Sequence, residues 1–302
     1  MKKRLITGIS GALFAIACVV FMQAPFIFGI PLAFFAATAV HEILNVIGCK
    51  NKPITYISMV FAGTVPLMSD IIAFFKYHRG ADFFNSFSMP VWVPAVIYVF
   101  IIMVIMLGNY ETVPFEHAAM AVFGTLGVGF GMSTLIYLRD LDHLFPNYIQ
   151  PAQSRAIVLC ALYAAWISDA FAYFIGRKFG RHKLAPVISP KKSIEGAVAG
   201  LIGNALVTGI TWLIASHWFT RYPDTFNGWG IIAVGTVASI LGVCGDLSAS
   251  VIKRNFGKKD YGTFFPGHGG IMDRFDSTLL HCRLSTFLLL RLSVSKPYKG
   301  DL

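Results

Sequence analysis

Charged side chains are scarce in this chain. Lys, Arg, Asp and Glu make up 13% of its 302 residues, about half of the roughly 25% found in soluble domains, so the polar surface of an ordinary soluble fold is missing. Acids are scarcer than bases, 15 Asp and Glu against 25 Lys and Arg. Cysteine is thin as well. Cys18, Cys49, Cys160, Cys244 and Cys282 are odd in number and scattered, which suggests neither a disulfide framework nor a thiolate metal site. There is no internal repeat of fixed period and no low-complexity tract, which disfavours a transporter built from tandem halves. What is abundant is apolar: 56% hydrophobic residues, with 27 Phe, and a mean hydropathy of +0.65. Those values exclude disorder and a nucleic-acid partner of the usual basic-protein kind. The solvent to reason with is a lipid bilayer.

A membrane-crossing helix needs about 20 apolar residues. Leu5 to Val40 carries no charge over 36 residues, too many for one span, and Gln23 to Pro25 breaks it into a hairpin of two helices. Further apolar runs extend from about Ile54 to Phe75, Val91 to Leu107, Ala118 to Leu138, Ala156 to Gly176, Gly196 to Phe219 and Trp229 to Ile252. The expected fold is therefore all-α, a polytopic transmembrane bundle of eight or nine spans with a cytoplasmic N-terminus. The ninth, Phe275 to Leu292, is interrupted by His281, Arg283 and Arg291, and each Arg at mid-span would cost about 2.5–3.5 kcal/mol. Lys2, Lys3 and Arg4 precede an apolar run more than twice as long as a signal-peptide core, so a first span is the reading there. Ala15-Ile16-Ala17-Cys18 resembles a lipoprotein cleavage site only faintly, because more membrane-type sequence follows.

Cytoplasmic loops are enriched in Lys and Arg. The eight-span arrangement puts sixteen of the basic residues on the N-terminal side of the membrane and five on the other. Two segments on that side, Arg177 to Glu195 and Lys253 to Asp276, hold 11 of the 25 bases. The chain thus divides into an N-terminal transmembrane scaffold, 1–150, and a C-terminal transmembrane catalytic region, 151–302. Most aromatic residues of the spans, among them Trp92, Trp212 and Trp229, are packing or interface anchors.

Charges inside spans are costly and mark function. Asp70 and Asp169 lie within apolar runs, and Asp246 follows the uncharged run Thr225 to Gly245. Asp70 either lines a polar hollow or touches a neighbouring helix. Asp273 and Asp276 are three apart and share a helix face. Oxygen ligands of this kind suit Mg²⁺, which takes one or two carboxylates and completes its shell with water and substrate phosphate, and Asp246 can converge from the preceding helix. Lys253, Arg254, Lys258, Lys259 and Arg274 supply the positive field that a polyphosphate needs. Gly267, Gly269 and Gly270 permit close backbone approach to phosphate. Upstream, Arg177 leads a second basic stretch to Lys191 and Lys192, and Ser193 is placed to cap the next helix. Some of these bases merely meet anionic headgroups.

Ser250, Lys253-Arg254, Lys259-Asp260, His268-Gly269-Gly270, Asp273-Arg274 and Asp276 stand at spacings that resemble the signature of the bacterial phosphatidate cytidylyltransferase (CDP-diglyceride synthase) family. Ser168-Asp169 to Arg177 and Ser189 to Gly196 look like that family too. The resemblance covers roughly Ala156 to Asp276. It implies an integral membrane enzyme that joins CTP to phosphatidic acid, giving CDP-diacylglycerol and pyrophosphate in phospholipid biosynthesis. By the resemblance, Asp246 and Asp273, with Asp276 close by, hold Mg²⁺, with room for a second cation. Lys253, Arg254, Lys259 and His268 face the phosphates with Arg274, and Arg177, Lys191, Lys192, Ser250, Gly269 and Gly270 bind substrate. His268 either assists the leaving group as an imidazolium or only hydrogen-bonds its loop. The expected partners are CTP, phosphatidic acid and membrane lipids, with a homodimer left open. The expected location is the inner (cytoplasmic) membrane, multi-pass, with the site facing the cytoplasm. Two rivals remain at this point: a CTP-dependent polyprenol kinase, and an ion or solute transporter using Asp70, Asp169 and Asp246 as its path.

Overall fold

The computed structural model describes residues 11, 13–24, 26–78, 92–145, 151–218, 228–265 and 269–279. Its helices are α1 (Gly29–Val46), α2 (Lys52–His78), α3 (Trp92–Gly108), α4 (Phe115–Arg139), α5 (Leu141–Leu144), α6 (Pro151–Phe179), α7 (Ile194–Trp218) and α8 (Gly228–Asn255). Residues 13–20 and 272–279 are helical as well. Among the described residues six helices are long and apolar enough to cross a membrane, and the 17-residue α3 is a shorter apolar one. Turns at 21–24 and 26–28 fall where the break in the first apolar run was expected. Of the doubtful final span only 275–279 lies among the described residues, and there it is helical; His268, Arg283 and Arg291 lie outside them.

Local chemistry explains the helix ends. The Asn51 side chain accepts the Ile54 N–H at 3.0 Å, the N-cap bond that opens α2. At the end of α1, Gly48 takes φ +76°, its N–H reaches the Asn45 carbonyl at 3.1 Å, and the Cys49 N–H reaches Leu44 at 3.0 Å. Those two bonds are the Schellman pattern.

The chain forms two compact units. One comprises Met1–Ile136 and Asn255–Phe275, the other Tyr137–Arg254 and Asp276–Leu302. In the first, α1 packs along α2, and small residues allow the approach: a Cβ on Gly63 would fall 3.2 Å from the Ala33 carbonyl. The buried Tyr98 hydroxyl ties α3 to its neighbours, lying 2.8 Å from Ser58 Oγ and 2.9 Å from Thr125 Oγ1. Asp70 is buried against Gly29, whose Cβ, if present, would stand 2.3 Å from the Asp70 Oδ2. Of the two roles open to Asp70, the one observed is contact with the neighbouring helix.

In the second unit, α6 and α7 form the main packing pair. Small residues and polar side chains bind such helices where no hydrophobic gradient drives them together. Gly200 lies against Ser168, and Ser168 Oγ meets Ser239 Oγ of α8 at 3.0 Å. Asn204 donates to the Gly235 carbonyl at 2.8 Å. One element departs from the all-α expectation. The basic segment between α6 and α7 is an antiparallel hairpin, β1 (Lys183–Ala185) with β2 (Ser189–Ser193).

Candidate functional site

The second unit gathers charge around one ammonium. Lys192, near the end of β2, forms an ion pair with Asp246 of α8. It also feels the attraction of Asp169 on α6 and of Asp276, and the repulsion of Lys253. Burial holds the Lys192 ammonium below the ordinary lysine range; the two acids oppose that shift and Lys253 adds to it. Lys253 and Asp276 are themselves buried. Three carboxylates and two ammonium groups thus come together from α6, β2, α8 and the 272–279 helix.

The local fold explains why Lys192 is held so firmly. The next residue, Ser193, accepts the Gly196 N–H at 3.2 Å, which is the cap expected of it. Gly176 and Gly180 leave its hydroxyl no spare room, since a Cβ on either would approach Ser193 Oγ to 2.7 and 2.5 Å. Arg254 Nε donates to the Ile188 carbonyl at 3.4 Å, tying the end of α8 to the hairpin. Arg177 donates to the Tyr173 hydroxyl at 3.4 Å, and Arg177, Lys191 and Arg254 are exposed. Ser250 is half-buried on α8.

The first unit holds the other part of the motif. Asp273 Oδ2 accepts the Tyr261 N–H at 2.8 Å and the Gly270 N–H at 3.0 Å. Asp273, in the first turn of the 272–279 helix, thus reaches back to the backbone just before that helix. Gly269 adopts φ +87°, a conformation that a side chain would strain. Lys259 and Arg274 are exposed.

Glu42, on α1, escaped the sequence reading. It is 5% exposed, and its two oxygens accept the N–H groups of Ile271 at 3.1 Å and Met272 at 2.9 Å. The signal was present: Glu42 is the first acid in the chain, close behind a 36-residue uncharged run. Asp169, a charge within an apolar run, acts on Lys192 by attraction.

Among the described residues no three His, Cys, Asp or Glu side chains form a ready-made metal cluster. Mg²⁺ asks for less from the protein, one or two carboxylates with water and phosphate completing the shell. The all-oxygen donor set of Asp246 and Asp276, already attended by a cationic ammonium, fits that ion.

The family model described as Cytidylyltransferase family matches residues 2–292. The chain belongs to the cytidylyltransferase family. Within it, the phosphatidate cytidylyltransferase of Staphylococcus haemolyticus (strain JCSC1435) is 43% identical over 135 residues, 45% of this chain and 49% of that protein. Its namesake from Staphylococcus aureus (strain COL) is 41% identical over 134 residues, 44% and 49% of the two chains. That from Staphylococcus saprophyticus is 37% identical over 147 residues, 48% and 54%. The chain spans about half the length of the curated relatives it matches.

Proposed function

We propose that this cytidylyltransferase transfers the cytidylyl group of CTP to phosphatidic acid, forming CDP-diacylglycerol and releasing pyrophosphate. The observation that carries the reading is the cluster of Asp169, Asp246 and Asp276 around Lys192 and Lys253, in a chain of this family. The lipid phosphate is a dianion above its second pKa of about 6, so it attacks the α-phosphorus of CTP without a general base. A bond forms from lipid phosphate oxygen to α-phosphorus, and the bond to the bridging oxygen of pyrophosphate breaks.

Lys192 and Lys253 neutralise charge at the reacting phosphates, and fixed cations in a part-buried site lower the barrier more than mobile ones in water. Arg254, Lys259, Arg274 and His268 meet the triphosphate, while Arg177, Lys191, Ser250, Gly269 and Gly270 bind substrate. Asp246 and Asp276, with Asp273, would hold Mg²⁺, which when bound offsets the charge that develops on the phosphates. The catalytic region is 151–302, and 1–150 is its scaffold.

The lipid stays in the bilayer while CTP is water-soluble, so the site belongs at the membrane face that carries the basic loops. Helix-count parity supports eight spans. Glu42, one turn from the end of α1, bonds Ile271 and Met272, which favours an even number of crossings between residues 46 and 256. Five of the long helices lie in that interval, and α3 supplies the sixth. Together with α1 and the helical stretch 13–20 this makes eight, with the N-terminus, Lys50, Lys52 and the Lys258-Lys259 loop on one basic, cytoplasmic side. The proposed location is the inner membrane.

Incubation with CTP labelled at the α-phosphate, Mg²⁺ and phosphatidic acid in detergent tests the chemistry. The label is expected in the lipid product. Label in CDP means a lipid kinase, and unconsumed nucleotide rejects the reading. A second expectation follows from Lys192. Its charge is lost at a lower pH than that of an exposed lysine, about 10.4, so kcat/KM for CTP falls early on the alkaline side. Lys192→Arg keeps its charge and moves that limb to higher pH; identical alkaline limbs in the two proteins would assign the fall to another group.

A further inference from the structure

A carboxylate buried within an apolar helix demands an explanation, because it loses water that something must replace. Glu42 finds the replacement more than 200 residues further along the chain. The 272–279 helix has Ile271 at its N-cap, whose carbonyl accepts the Phe275 N–H at 3.2 Å, and this leaves the N–H groups of Ile271 and Met272 with no partner inside the helix. Both are taken by Glu42, one per oxygen, at 3.1 and 2.9 Å. The positive end of the helix dipole faces the same carboxylate. Room for it is built in: a Cβ on Gly262 or on Gly270 would stand 2.3 Å from a Glu42 carboxylate oxygen. Two glycines, two N–H groups and one buried acid therefore form a socket and its plug.

Asp273 stands in the same turn, and its Oδ2 accepts from Tyr261 and Gly270. Gly270 is shared between the two acids: its N–H goes to Asp273 and its missing side chain makes space for Glu42. We infer that Glu42 is a positioning residue, which clamps the N-terminus of the 272–279 helix from α1 and so fixes the Asp273 carboxylate for cytidylyl transfer. This rests on the proposed function for its catalytic half. The clamp itself rests on geometry alone.

The test uses the full chain in lipid nanodiscs. Glu42→Gln keeps the shape but presents one N–H₂ end to a backbone donor, so one bond is lost. Amide hydrogen exchange at Ile271 and Met272 is expected to speed up at least tenfold, while amides in α6 and α7 stay unchanged. Turnover is expected to fall about thirtyfold, with KM for CTP within threefold of its starting value and a raised Mg²⁺ requirement. Gly262→Ala, which pushes on the same oxygen without touching Glu42, should reproduce both effects, and it stands as the test if Glu42→Gln fails to fold. In a Glu42→Ala background Gly262→Ala should add nothing. Unchanged exchange at Ile271 and Met272, or loss of protection spread evenly over all spans, overturns the clamp. Faster exchange with full turnover overturns the positioning role. An inactive parent protein overturns the functional reading together with that role, and the exchange data then still judge the clamp.

Discussion

Asp246→Asn is expected to lower turnover at least about a thousandfold while the protein still folds and inserts. The substitution keeps size and removes charge. It takes from the site both the partner of Lys192 and a carboxylate proposed for Mg²⁺. Loss of one preorganised electrostatic group costs about 10²–10³ in kcat, and here two functions vanish with one oxygen. Stability should suffer less. Breaking a fully buried pair costs about 3–5 kcal/mol, but these side chains keep 28% and 20% of their surface, and Asp169 and Asp276 still attend Lys192. Initial rates with CTP and phosphatidic acid, beside a melting curve, make the check. A fully active, normally melting Asn variant would remove Asp246 from the site.

Asp273 offers the sharper contrast, because it carries structure and charge in one side chain. Asp273→Asn retains an oxygen that can accept from Tyr261 and Gly270, so the turn should survive, while turnover drops about a thousandfold with the charge. Asp273→Ala should lose the same activity and also about 1–2 kcal/mol of stability, the usual worth of a lost capping bond. Activity that survives in the Asn variant and disappears only in the Ala variant would make Asp273 a structural residue and end its assignment to the metal.

The spans could be read from the sequence because each is a long apolar run, and the Ser193 cap because its rule is local. The hairpin could not: Lys183 to Ser193 is short, basic and broken by Pro186 and Pro190, so no alternation of apolar and polar residues announces two strands. Lys192, Asp246 and Asp276 could each be named as candidates from the sequence. Their meeting with Asp169 was not legible there, since the four come from α6, β2, α8 and the helix beyond it. Glu42 shows the same limit more plainly. Its partners lie 229 and 230 positions away, and no spacing rule reaches that far.

That distance has a consequence for biosynthesis. Chains emerge from the ribosome at about 5–20 residues per second, so Glu42 enters the bilayer roughly ten to fifty seconds before Ile271 and Met272 exist to receive it. Throughout that interval its carboxylate must stay protonated or reach for the headgroups. A turn made late in synthesis relieves a misfit made early, and a chain stalled before residue 270 keeps a carboxylate without its two backbone donors.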